Sequence, residues 1–166
     1  MNKNPKIKVE PTKFTKQLEI LNYILIILFW VITVLAYKYL PNEIPTHYNG
    51  LGKVDAYGDK ITIFMLPFIA TILFVTLTIT ANKPHWFNYS ETITADNAET
   101  QYKNAMRFMQ SLNFFVLLIF IFIDYKTILI ALNKSGSLGV WFLPLTGIVG
   151  IPIIIYSVKQ SKKENI

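Results

Sequence analysis

The chain of 166 residues contains no cysteine. That excludes a disulfide framework, a thiolate metal site and a thiol nucleophile. Histidine is scarce as well: His47 and His85 are the only two, and the topology derived below puts them on opposite sides of a membrane, where they cannot share a metal. Charged residues make up only 16% of the sequence. No His-Glu-x-x-His pair, glycine-rich phosphate loop or Gly-x-Ser-x-Gly turn occurs, so the common signatures of metalloproteases, nucleotide-binding enzymes and serine hydrolases are missing. Low-complexity tracts are absent. The net charge of +6 is not gathered with aromatics on a soluble face, which argues against nucleic-acid binding.

What the chain has in abundance is apolar sequence. Hydrophobic residues account for 52% of it, more than a soluble core of this length requires. The excess lies in four runs, at residues 18–40, 61–81, 112–132 and 138–158. Each meets the requirement of about 20 mostly apolar residues for a helix crossing a hydrocarbon layer. The fold class expected is therefore an all-α integral membrane protein with four transmembrane helices. The first run is too long for a cleaved signal and no small-x-small site follows it, so it reads as a retained anchor.

Basic residues give the orientation. Lys3, Lys6, Lys8, Lys13 and Lys16 precede span one, Lys83, Lys103 and Arg107 lie between spans two and three, and Lys159, Lys162 and Lys163 follow span four. The other side carries Lys38, Lys53, Lys60 and Lys134. The positive-inside bias then predicts both termini in the cytoplasm, N-in and C-in. The domain plan is a basic cytoplasmic tail (1–17), a four-span membrane domain (18–158) and a second cytoplasmic tail (159–166). The bilayer is the first partner, and anionic headgroups suit the N-terminal lysines.

Between spans two and three, "NKPHWFNYSET" is turn-rich, with Trp86, Phe87 and Tyr89 suited to the membrane interface. From Thr94 onward, Ala98, Tyr102, Ala105, Met109 and Leu112 recur at helical spacing. This predicts a helix capped by Thr94 or Asp96 that runs unbroken into span three. Within that span Asp124 is the one acid. A carboxyl at that depth should face the bundle interior or a wet cavity, as an ion site or as a group hydrogen-bonded by a nearby threonine or tyrosine. Lys126 points to another face and should reach the outer headgroups. Span four carries Pro144, Gly147, Gly150 and Pro152, a pattern of kinks and close packing.

The densest specification is in the outer loop, "LPNEIPTHYNGLGKVDAYGDK", residues 40–60. Pro41 and Pro45 stiffen the exit from span one, while Asn49-Gly50 and Gly52 supply positive-φ positions for a reversal. Gly58 and Lys60 lead into span two. Gly50-Leu51-Gly52 suits a three-residue hairpin connection between 45–49 and 53–57. That register opposes Asn49 to Lys53, Tyr48 to Val54 and His47 to Asp55. It turns Thr46, Tyr48, Val54 and Ala56 inward. The alternative is an irregular loop whose side chains cap separate span ends. His47, Asp55 and Asp59 are weak candidate ligands for a divalent cation; no cofactor is otherwise implied.

The same stretch, with Leu40-Pro41, Ile44-Pro45-x-His47, then Asn49, Gly50, Gly52, Asp55 and Gly58-x-Lys60, resembles the signature of the domain of unknown function 1648 family. The resemblance extends to the following spans and to "FNYSETITADNA". It implies the N-terminal part of bacterial membrane proteins similar to the immunity protein against the sporulation-delaying toxin. Such a protein shields the producing cell and reports the toxin by sequestering a repressor at the membrane. The longer family members carry further C-terminal spans, which this sequence does not show. The expected function is a non-enzymatic, multi-pass protein of the bacterial cytoplasmic membrane, sensing a peptide, toxin or lipid through its outer loop. A cytoplasmic regulator and a second copy of the chain are further candidate partners. The alternatives are a small transporter or transporter subunit using Asp124 and span four, and, less favoured, a metal-dependent membrane enzyme at His47.

Overall fold

The structure, a computed structural model, describes residues 4–89 and 91–139 together with Phe142, Pro144 and Gly147. Apart from those few positions, the fourth run expected at 138–158 and the tail 159–166 lie outside the described residues. Among the described residues three helices carry the fold: α1 (Lys13–Tyr37), α2 (Met65–Ala81) and α3 (Ala98–Ala131). Each is long and apolar enough to cross a membrane, α2 when taken with the 3-10 turn Lys60–Phe64 that leads into it. The chain is thus a mostly helical membrane protein. It is not all-α, because the loop between α1 and α2 forms a two-stranded antiparallel sheet of β1 (Glu43–Tyr48) and β2 (Val54–Asp59).

The helices pack through stripes spaced at three, four or seven residues, the spacing that keeps side chains on one helical face. On α1 the stripe is Asn22, Ile26, Phe29 and Thr33; on α2 it is Pro67, Ala70, Phe74, Thr78 and Ala81. Tyr102, Met106, Gln110, Asn113, Leu117, Asp124 and Thr127 form the facing stripe of α3. Ile26, Phe29, Ala70, Phe74 and Leu117 make the central core. Outward positions such as Ile27, Val34, Leu35, Phe68 and Ile72 are apolar and exposed, as lipid-facing positions should be.

The seam also holds polar groups that bond one another, because unpaired groups in an apolar interior are costly. Asn22 Nδ2 donates to the Gln110 carbonyl and to Gln110 Oε1, at 3.0 and 3.1 Å. Asn113 Nδ2 donates to Phe74 O and Thr78 Oγ1, at 3.2 and 3.1 Å. Trp30 Nε1 donates to Thr71 Oγ1 at 2.9 Å.

Helix limits follow local chemistry. Thr12 caps α1, its hydroxyl accepting from the Thr15 N–H, so the helix begins five residues before the expected span. Pro67, which has no N–H to give, sits in the first turn of α2, where none is needed. The helix α3 runs unbroken for 34 residues, as its periodicity predicts. Its N-cap position is Asn97, not Thr94 or Asp96. The Asn97 side chain accepts from the Thr94 N–H and donates to Thr92 O, bracing the preceding turn. At the far end Asn133 takes φ 57°, and the Lys134 N–H reaches Leu129 O, a left-handed helix stop.

The N-terminal segment is tied to the bundle instead of hanging loose. Asn4 Nδ2 donates to His85 O and Phe87 O, and the Tyr102 hydroxyl donates to Pro5 O. Val9 and Tyr89 pack against Ile93, Ala98 and Tyr102. The hairpin closes the opposite end of the bundle.

Candidate functional site

The hairpin is seated by its apolar residues. Leu40 and Ile44 are buried with Ile63 and Ile128, which joins the exit of α1 to the start of the second span and the end of α3. Pro45 is buried beside Ile44, while Pro41 is exposed. Leu40, Ile44 and Pro45 therefore anchor the loop, and its polar residues shape it.

The tip is the predicted three-residue connection. The Gly52 N–H bonds to Asn49 O at 2.8 Å, and the Asn49 N–H bonds to Lys53 O at 2.9 Å. Asn49 Oδ1 accepts from the Leu51 and Lys53 N–H groups. Gly52 takes φ +72°, the left-handed position that favours glycine. Gly50 does not, so only one of the two expected positive-φ glycines is used in that way. The Gly52 carbonyl accepts from the Leu138 N–H at 2.9 Å, which ties the tip to the segment after α3.

The strand register is partly the expected one. Tyr48 pairs with Val54 and Pro45 with Tyr57, as expected, but His47 pairs with Ala56 instead of Asp55. Thr46 and Asp55 are compensating extra residues, one on each strand, and such bulges re-aim side chains. Thr46 and Ala56, expected to face inward, are exposed, whereas Tyr48 and Val54 are half-buried. His47 and Asp55 nevertheless meet, with Nδ1 and Oδ1 at 2.5 Å, on the exposed side. An exposed pair of this kind contributes at most about 1 kcal/mol. Gly58 lies under Thr46, whose methyl stands 3.0 Å from where a Cβ would be.

Asp59 is not turned to that pair. Its Oδ1 accepts from the Ile61 N–H at 2.8 Å and caps the 3-10 turn. Among the described residues, no three His, Cys, Asp or Glu side chains gather as a metal site. The Lys60 ammonium stands over the Tyr37 ring, and Lys126 donates to Ser135 Oγ at 2.7 Å.

Beneath the hairpin runs a polar line that the loop motif does not announce. The Tyr48 hydroxyl lies 2.7 Å from Thr127 Oγ1, which itself donates to Ile123 O. Either hydroxyl can donate in that contact, Thr127 sharing its proton between Tyr48 and Ile123 O when it is the donor. Burial holds the Tyr48 hydroxyl above its ordinary pKa of 10.0, against the lowering by Thr127; the charges of Tyr57 and Asp124 also raise it. One turn before Thr127, Asp124 is buried, and its Oδ2 accepts from Thr33 Oγ1 at 2.9 Å. That is the threonine contact expected for it. Its Oδ1 has no hydrogen-bond partner among the described residues. The signal for Thr33 was its spacing: it stands three turns beyond Asn22 on the α1 stripe.

Between β1 and the spans is a groove of about 280 Å3. Ile44, Pro45, Thr46 and Tyr48 form its hairpin wall, Met65, Leu66 and Ile69 its α2 wall, and Ile123 and Thr127 its α3 wall. Among the described residues, no charged side chain lines it.

Residues 24–71, from within α1 through the hairpin into α2, match the family model described as Domain of unknown function (DUF1648). Over 69 residues the chain is 33% identical to an uncharacterized protein of Archaeoglobus fulgidus, covering 40% of this chain and 38% of that one. It is 28% identical over 137 residues to the immunity protein SdpI of Bacillus subtilis, covering 82% of this chain and 56% of that one. The chain spans about half the length, or less, of these curated relatives. No solved structure matches it. The hairpin and the helix segments flanking it thus match the DUF1648 model, within a chain similar over most of its length to an immunity protein.

Proposed function

We propose that the chain is a non-enzymatic, multi-pass protein of the bacterial cytoplasmic membrane that gives immunity to, or senses, a peptide toxin through its outer hairpin. The observation that carries this reading is the similarity to an immunity protein over 82% of the chain. The hairpin supports it: a shaped element, fixed to the bundle by Leu40 and Ile44 and held at its tip by Gly52, offers a surface that a slack connection would not. The termini face the cytoplasm in this reading, where a regulator would meet the segment before α3. The test is protection. Expression of the chain in a bacterium sensitised to the sporulation-delaying toxin should raise survival at least tenfold over the empty vector. Equal killing with and without the chain removes immunity to that toxin.

A second reading, a small transporter or transporter subunit, rests on Asp124. A buried carboxyl with one oxygen unpartnered among the described residues is a group that an ion path would use.

A further inference from the structure

We propose that the groove between β1 and helices α2 and α3 is a binding site for an uncharged, apolar peptide segment that arrives through the outer half of the bilayer. The proposal rests on the reading of the hairpin as a recognition element and names the chemistry of what it recognises.

The lining decides the class of ligand. Ile44, Met65, Ile69 and Ile123 are apolar, and the polar groups among the lining residues are hydroxyls. A phosphate headgroup or a charged peptide placed there would lose its hydration without gaining an opposite charge. The exposed His47–Asp55 pair does not line the groove.

The position decides the route. Met65 and Ile69 are 59% and 40% exposed, on a helix apolar enough to span a membrane. The groove is therefore bordered by side chains that face lipid, next to the hairpin end of the bundle. An occupant already dissolved in the hydrocarbon enters sideways. Met65 adapts to irregular apolar shapes at low cost. The volume lies at the lower edge of ligand pockets, which run from about 300 to 1,000 Å3, so it accepts a few side chains of a longer molecule and not the whole of it.

The hydroxyls favour a peptide over an acyl chain. A backbone N–H in hydrocarbon must find an acceptor, whereas an acyl chain needs none. The Tyr48 hydroxyl is engaged by Thr127 in one hydrogen bond and, whichever of the two donates, keeps a lone pair to offer. Every hairpin residue of the lining belongs to β1, which among the described residues is hydrogen-bonded to β2 and to no further strand. A sheet edge beside apolar subsites is the arrangement that extended peptides use.

The experiment uses the full chain in phosphatidylcholine nanodiscs and two photoreactive probes. One is an N-acetylated, C-amidated peptide of leucine and alanine carrying a diazirine leucine. The other is phosphatidylcholine with a diazirine in its acyl chain. The peptide should crosslink to Tyr48, Met65, Ile69 or Ile123, saturably, with an excess of unlabelled peptide reducing the yield at least fivefold. Ile69→Trp, which fills the groove from a lipid-facing position, should reduce the yield as much; Asp55→Asn should leave it unchanged. Tyr48→Phe should weaken labelling by the peptide and not by the lipid. If the lipid probe labels the groove and the peptide does not compete with it, the site is an acyl-chain site and the proposal falls. Peptide labelling indifferent to Ile69→Trp also overturns it. Saturable groove labelling without toxin protection would defeat the immunity reading alone; protection that survives Ile69→Trp would defeat the groove alone.

Discussion

Asp124 is the residue on which the two readings part. Its carboxyl is held by one hydroxyl, from Thr33, and its other oxygen is unpartnered among the described residues. Thr33 donates to Phe29 O as well as to Asp124, so its single proton serves two acceptors and the contact is a modest one. A structural role predicts that Thr33→Val destabilises the protein by about 1–3 kcal/mol, the cost of an unsatisfied buried acceptor. Asp124→Asn should cost less, because the amide oxygen still accepts from Thr33. Thermal melts in detergent would measure both. No ion-coupled flux is expected from the parent chain in proteoliposomes. A flux in the parent that Asp124→Asn abolishes, with the melting temperature kept, would put the transporter in place of the immunity protein.

At the scale of the element, the hairpin was largely legible. Asn49-Gly50-Leu51-Gly52 carries the chemistry of a three-residue connection, and the turn formed accordingly, with its left-handed residue at Gly52. What could not be read was the pair of bulges. A bulge is decided by backbone hydrogen bonds on both strands and by how each side chain is seated below, and neither Thr46 nor Asp55 announces it. The face assignment therefore held at Tyr48 and Val54, next to the turn, and failed at Thr46 and Ala56. The two glycines of the tip offer a paired test of this account. A Cβ on Gly52 would stand 3.2 Å from Leu138 Cβ, on a backbone at φ +72°, whereas one on Gly50 meets nothing within 4 Å. Gly52→Ala should cost about 1–2 kcal/mol from the left-handed conformation alone. Gly50→Ala should lie within about 0.5 kcal/mol of the parent. Equal effects in a melting experiment would mean that the tip is not docked on the segment after α3.

For the whole molecule, the apolar runs and the period of Ala98 to Leu112 sufficed to place three helices, because length and apolarity are what a bilayer demands. The amides inside the bundle were not legible. Asn22, Gln110 and Asn113 look alike in a sequence whether they face lipid, headgroups or a neighbouring helix, and only the packing of all three helices assigns them to the seam. The direction in which the bundle crosses the membrane rests on charge. Eleven basic residues fall on the side assigned to the cytoplasm and four on the other, with Lys126 inside a span. Absence of cysteine makes this directly measurable, since the parent gives no background with a thiol reagent. Lys8 is 91% exposed at its side chain, and Gly50 is exposed at the hairpin tip, so a cysteine at either position is accessible from its own side. Gly50→Cys should react with a membrane-impermeant maleimide in intact cells. Lys8→Cys should react only after lysis. The reverse pattern would place the hairpin in the cytoplasm, out of reach of any external toxin, and would overturn the orientation together with the immunity reading built on it.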